Sequence, residues 1–238
     1  MASYLDAYKD AYDENFVFDN KVTMEWYPHR ILNVAQGSSV LELGLGHGYS
    51  TAVFSQHFSR YLVVEGSGMM IKRFTDKYPD LPVKIAHAYF EDFTTDEKFD
   101  NIMMGFVLEH VEDPDLILDR FKHFLTSDGS IFIAVPNCES LHRRIGHEAG
   151  LLPDMMQLGP GDLEVGHRRY FNLATLTELV ERNDLCVGTT EGLLLKPVTA
   201  QQMLDLNLSD QVVEGMMKVA VHLPELSNSI LMQVKHVH

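Results

Sequence analysis

The chain has 238 residues, 45% of them hydrophobic, enough for a single domain, or one with a small appendage, to bury a core without cross-links. Its 19 basic and 34 acidic residues leave a net charge of −15, which disfavours phosphate backbones and anionic bilayers, and no basic stripe offsets it. Two cysteines, Cys138 and Cys186, exclude a disulfide framework and a four-cysteine zinc site. The polar, acidic start is unlike a signal peptide, and no apolar run reaches the roughly 18 residues of a membrane span. The expectation is a cytoplasmic protein with no nucleic-acid and no membrane partner.

The first 36 residues precede any strand pattern. Tyr4, Tyr8 and Tyr12 lie four apart, on one helical face, and Phe16, Phe18, Trp26 and Tyr27 follow. This segment reads as a helix packed on the body of the protein or as a helical lid over a ligand. Apolar strand runs then alternate with helical spacing, the pattern of an α/β protein with a parallel sheet. Strands are expected at Ser38–Leu43, Tyr61–Val64, Pro82–Ala86, Phe99–Met104 and Ser130–Val135. Helices are expected from the glycine turn to about His57, at Ser67–Lys77, and at Pro114–Leu125 with Leu116, Ile117, Phe121, Phe124 and Leu125 on one side. After a long insertion come a helix near Leu173–Arg182, a strand near Cys186–Leu195, further helices and an alternating terminal strand in SNSILMQVKHV. Near-continuous apolar strands suit a sheet covered on both faces.

The strongest local signal is Glu42-Leu43-Gly44-Leu45-Gly46-His47-Gly48, a strand that runs into a glycine-rich turn and opens a helix. Glycine permits positive φ and close backbone approach to a ligand, and the helix start offers free N–H groups. Dinucleotide binders want a third glycine one residue later, where this chain has Tyr49. Glu65 ends the second strand 21 residues after Gly44, placed to accept the hydroxyls of a ribose. His87-Ala88-Tyr89-Phe90-Glu91-Asp92-Phe93 and Leu108-Glu109-His110-Val111 follow in order.

Together these motifs resemble class I S-adenosylmethionine-dependent methyltransferases, closely over Ser38–Asn137 and in outline beyond, and within them the small-molecule, ubiquinone-biosynthesis O-methyltransferase-like group. The resemblance implies a Rossmann-like, seven-stranded, mostly parallel sheet with a terminal antiparallel strand and helices on both faces. It divides one domain into a cap (1–36), a cofactor-binding core (38–137), an acceptor-site insertion after strand 5 (138–172) and the rest of the sheet (173–238). It implies S-adenosyl-L-methionine as cofactor, with S-adenosyl-L-homocysteine as product, held by Glu42, Gly44, Gly46, Gly48, Glu65, Phe90, Glu91 and Gly105. Phe90 would wall the adenine and Glu91 would accept from its amino group, a role Asp92 could exchange. In the ubiquinone group a Glu-x-x-Glu-His array is linked to a divalent ion; here Phe106 replaces the first acid, and no metal is expected.

The insertion gathers four of the chain's nine arginines in Leu141-His142-Arg143-Arg144 and Gly166-His167-Arg168-Arg169-Tyr170. Arginine forks bind carboxylate or phosphate, so His142, Arg143, Arg168, Arg169 and Tyr170 are the candidate contacts of an anionic acceptor. The same stretch carries Glu139, Glu148, Asp154, Asp162 and Glu164, so local salt bridges are the competing use. His110 and His167 are the candidate general bases, because imidazole titrates near working pH, and each has a structural reading too. The expected activity is methyl transfer to an oxygen of a small anionic metabolite, a glycan or natural-product precursor. N-methylation of a small amine, cofactor binding without catalysis, and a NAD-dependent oxidoreductase are the alternatives. A homodimer is compatible with the sequence.

Overall fold

The computed structural model describes residues 18–237; Tyr4, Tyr8, Tyr12 and Phe16 lie outside the described residues. In chain order the elements are α1 (Phe18–Leu32), β1 (Ser39–Leu43), α2 (Tyr49–Phe54), β2 (Arg60–Glu65), α3 (Gly68–Lys77), β3 (Lys84–His87), β4 (Phe99–Gly105) and α4 (Pro114–Lys122). There follow β5 (Leu125–Pro136), α5 (Leu141–Glu148), α6 (Pro160–Glu164), α7 (Leu173–Arg182), β6 (Leu185–Leu193), α8 (Ala200–Asp205), α9 (Asp210–Ala220) and β7 (Ser229–His236). The seven strands form one sheet in the order β3-β2-β1-β4-β5-β7-β6. β7 runs antiparallel to β5 and β6, and all other pairs are parallel. Strand order reverses between β1 and β4, which opens a crevice at their carboxyl ends. Among the described residues no helix is long and apolar enough to cross a membrane.

The continuous apolar runs are explained by two buried faces. Leu41, Leu43, Ile102, Met104, Ile131 and Ile133 pack one way, with Ile117 and Phe121 of α4 and Leu176 and Leu179 of α7. Val40, Val63, Met103, Phe132 and Ala134, alternating with them, pack the other way, with Tyr27 and Ile31 of α1, Phe54 of α2 and Phe74 of α3. α1 both packs and caps: Tyr27 is 3% exposed, and its hydroxyl lies so close to Gly105 that a Cβ there would collide with it.

Several boundaries differ from expectation for identifiable reasons. The helix expected to reach Leu125 stops at Lys122, and Leu125 instead opens β5, paired with Phe99. The pairing then shifts register between Leu125 and Ser130, a stretch that includes Gly129, where a side chain would press against Leu125 and the Asp100 carbonyl. Leu116, expected on the packed side of α4, is exposed, while Leu118 is buried. Pro82 falls outside β3, having no N–H to give a ladder. The insertion is a closed excursion containing α5 and α6. Asn137 and Phe171 form an isolated bridge, and Cys138 N–H donates to the Phe171 carbonyl over 2.8 Å.

The starts of β1 and β4 are clamped by Asp100, whose Oδ2 accepts from the backbone N–H groups of Ser38 (2.8 Å) and Ser39 (3.1 Å) and from the Ser39 hydroxyl (2.8 Å). Gly37, at φ +77°, leaves room for that carboxylate. Burial pushes the Asp100 carboxyl up, but these bonds, with Arg60 nearby, outweigh it and hold it below the usual carboxylate range. A group with a depressed folded pKa contributes stability above its unfolded value of roughly 3.9, lost as pH falls through the folded value. Asp100→Asn is therefore expected to lower Tm at pH 7 and to lower it much less at pH 3; an equal deficit at both, by thermal melting, would show that the charge is not what the clamp uses.

Candidate active site

The glycine turn stands at the carboxyl end of β1. Gly44, Gly46 and Gly48 all have positive φ, at +78°, +47° and +77°. Their surroundings give them different duties. A Cβ at Gly48 would lie 2.8 Å from Phe74 and 2.9 Å from Tyr78, so this glycine admits α3. A Cβ at Gly46 would meet nothing within 4 Å, so the backbone there faces open space. One at Gly44 would meet only the tip of Phe90, at 3.8 Å.

Glu65 joins this turn to the next. Its Oε2 accepts from Leu45 N–H (3.0 Å) and its Oε1 from Ser67 N–H (2.7 Å). The Gly66 N–H adds a third bond, which still leaves the carboxylate oriented without being saturated. Burial pushes its carboxyl up, and the backbone bonds work against that. Phe90 packs edge-on to Phe121, with centroids 6.3 Å apart, beside the Gly44 turn. Glu91 is half-buried and Asp92 exposed.

Glu42 corrects an expectation. It is 2% exposed, and its oxygens are taken by the hydroxyls of Ser50 (2.6 Å), Thr51 (2.5 Å) and Tyr61 (2.7 Å). It supports the turn from beneath and does not face a ligand.

Beyond β4 the chain bends at Phe106, a non-glycine residue at φ +58°, a conformation that costs about 1–3 kcal/mol and persists only where its surroundings enforce it. The bend delivers Glu109 and His110. The insertion meets them there: Arg168 N–H donates to the Glu109 carbonyl over 2.8 Å, and the rings of His110 and His167 meet edge-on, 4.7 Å between centroids. Burial, and then His167, push His110 down to about 3, so it is a neutral imidazole at working pH. Glu109 is fully buried, and burial pushes it up to about 7 against the pull of His167.

The arginines divide. Arg143 donates to the carbonyls of Cys138, Met155 and Gln157 and to the Tyr170 hydroxyl, and lies 4.3 Å over the Tyr170 ring. Arg169 donates to the carbonyls of Leu108, Val111 and Glu112. Arg144 pairs with Glu139 at 2.7 Å. The expectation that Arg143 and Arg169 hold an anion is corrected on this ground: their donors are committed to backbone that they fix in place. Tyr170 likewise donates to Asp162 at 2.9 Å. Arg168 is exposed and has no side-chain hydrogen bond or ion pair among the described residues. His142 is bonded to Ser140 at 3.1 Å and pushed down to about 3 by burial, then by Lys196 and Arg143. Lys196, 4% exposed beside His142, carried no sequence signal and enters the site region only through the fold.

A sheet of this order, with a three-glycine turn on β1 and an oriented carboxylate closing β2, defines a class I S-adenosylmethionine-dependent methyltransferase. A family model described as a methyltransferase domain matches residues 21–189, and the chain belongs to that family, with S-adenosylmethionine as its cofactor. No curated protein matches the sequence. Among similar solved structures, Burkholderia thailandensis 1,6-didemethyltoxoflavin-N1-methyltransferase, with 1,6-didemethyltoxoflavin and S-adenosylhomocysteine bound, is 14% identical at a TM-score of 0.63, covering 99% of this chain and 86% of that one. The N-methyltransferase NodS from Bradyrhizobium japonicum, with S-adenosylhomocysteine, is 14% identical at 0.62, covering 99% and 98%. A putative methyltransferase in complex with the Haloferax volcanii Trm112 activator is 16% identical at 0.66, covering 100% and 99%. At these identities the likeness is one of fold.

Two substitutions separate the duties of the turn. Both Gly46→Ala and Gly48→Ala force alanine to positive φ, at a cost above about 1 kcal/mol, but only Gly48→Ala adds a clash with Phe74 and Tyr78. Gly48→Ala should therefore lower Tm more, and Gly46→Ala should weaken S-adenosylhomocysteine binding more; the reverse order in melting and calorimetry would refute the assignment. Glu65→Ala removes up to two charge-assisted bonds of about 1.5–3 kcal/mol each, so calorimetric affinity should fall at least tenfold.

Proposed function

We propose that the chain methylates an oxygen of a small anionic metabolite, a glycan or natural-product precursor. The observation that carries this reading is the meeting of the insertion with the turn after β4, where His110 and His167 adjoin and the exposed Arg168 is bonded through its backbone to Glu109. An acceptor hydroxyl needs a base, and an anionic acceptor in a protein of net charge −15 needs a local cation. Here the His110–His167 pair and an uncommitted guanidinium, Arg168, stand at the same place.

In this reading Gly44, Gly46 and Gly48 let the cofactor approach, Glu65 accepts its ribose hydroxyls, Phe90 and Glu91 face the adenine, and backbone near Gly105 meets its methionine end. The cofactor supplies a methyl group activated on a sulfonium. The protein aligns the acceptor for in-line displacement, which at best supplies roughly 7–11 kcal/mol, and His167 or His110 takes the hydroxyl proton. Asp162, 3.2 Å from His167 Nδ1, would support the imidazolium that forms. The two free cysteines fit a cytoplasmic location. The second reading is N-methylation, favoured by the two similar structures that are N-methyltransferases; an amine delivered neutral would make both histidines dispensable.

Saturation with S-adenosylhomocysteine at about 100 times Kd should add about 2.7 kcal/mol of stability. An acceptor screen read by mass should show a methylene gain on an anionic hydroxyl compound, with Arg168→Met raising its KM on the order of tenfold. An unchanged KM would sink the anion role, full activity in His167→Asn would favour the amine, and a ligand shift without turnover on any acceptor would leave a binding protein.

A further inference from the structure

Glu109, His110 and His167 do more than stand near the acceptor side. A ligand atom from each lies within 4.8 Å of the other two. Glu109 is 0% exposed, and neither carboxylate oxygen has a partner among the described residues beyond its own backbone N–H. A carboxylate so buried is costly unless a proton or a cation neutralises it. One His110 nitrogen is bonded to the Gly166 carbonyl, which leaves the other free to act as a donor atom. The Asp162 carboxylate stands 3.2 Å from His167 Nδ1, in the manner of the outer carboxylates that orient ligating imidazoles. The backbone is fixed on both sides, by the Arg168–Glu109 hydrogen bond and by Arg169 on the carbonyls of Leu108, Val111 and Glu112.

We propose that Glu109, His110 and His167 form a binding site for one divalent transition-metal ion of the zinc class, with a coordination position left open. Two imidazoles and a carboxylate match three-ligand open zinc sites, whereas magnesium and calcium want oxygens throughout. Donor atoms roughly 2.0–2.2 Å from a tetrahedral ion are about 3.3–3.5 Å apart, so small side-chain adjustments within the present cluster suffice. The sequence argued against a metal because Phe106 stands where the first acid of the Glu-x-x-Glu-His array would be; the third ligand comes instead from the insertion, 57 residues beyond His110. Metal binding is independent of the acceptor reading. Only the use of the ion rests on it: an acceptor hydroxyl on the open position would be acidified by the cation and lose its proton to solvent water, with the imidazoles serving as ligands instead of bases.

The test is a cobalt titration of the full-length protein after chelator treatment. We expect visible d–d absorption rising to one equivalent of Co2+ per chain, displaced by Zn2+. Glu109→Gln and His167→Asn should each weaken binding by at least the roughly 10–100-fold that loss of an outer partner alone costs. The S-adenosylhomocysteine-induced rise in Tm should persist in both variants, which shows that they are folded. Absence of the cobalt spectrum and of calorimetric zinc binding in the wild type overturns the proposal, as does an unaltered titration in the two variants. If one variant does not fold, the other decides. Loss of the cofactor shift with cobalt binding intact would instead overturn the methyltransferase reading and leave the metal site standing.

Discussion

A charge kept out of water beneath the glycine turn is the constraint on which the site depends. Glu42 belongs to β1, is 2% exposed and remains tolerable only because three hydroxyls meet it. Those hydroxyls come from α2, through Ser50 and Thr51, and from β2, through Tyr61. The carboxylate thereby fixes the direction in which the chain leaves β1, the start of the helix that follows and the neighbouring strand. Burial pushes its carboxyl up and the hydroxyls hold it down, a balance that leaves little freedom for any of the three partners to move. Glu65 then repeats the device one strand over, using backbone N–H groups in place of hydroxyls. Two successive acids thus do opposite work: the first is saturated from within the protein, and the second is left with lone pairs to spare.

The insertion after β5 is organised differently. There the structural work falls to cations on carbonyls. Arg143 and Arg169 each gather several backbone oxygens, a bonding pattern suited to a fork of donors and unavailable to lysine in the same geometry. They give an irregular stretch of chain the rigidity that a sheet would have supplied. That rigidity holds Glu109, His110 and His167 together where the insertion meets the turn after β4.

Much of this was legible in sequence, and the failures share one cause. Ile131–Val135 is apolar at every position because both of its faces are buried, so its run alone marked a strand. The turn was legible because positive φ at three alternating positions needs glycine, and Gly44, Gly46 and Gly48 supply it. By contrast, Leu125 looked helical because its strand partner, Phe99, lies 26 residues earlier, and the register shift that follows it is set by that distant partner. Glu42 was placed among ligand contacts because the motif shows an acid and conceals that Tyr61 would cover it. Arg143 and Arg169 were read as anion holders because a sequence shows charges and not which carbonyls will surround them. Local pattern carried the elements, and the long-range pairing of polar groups stayed hidden.

The closure of the insertion on itself has a consequence for the strands beside it. The excursion departs at Asn137 and returns at Phe171, which are bridged to one another, so the sheet sees a short connection whatever lies between. Asn137 adds bonds from its amide to the carbonyls of Pro224, Glu225 and Ser227, anchoring that junction from the far side of the chain. The insertion is therefore a self-closed excursion, tied to the rest of the chain at that junction and through Arg168 and Arg169 at the turn after β4. A change of length between the two bridged ends would leave the register of β5 with β7 as it is.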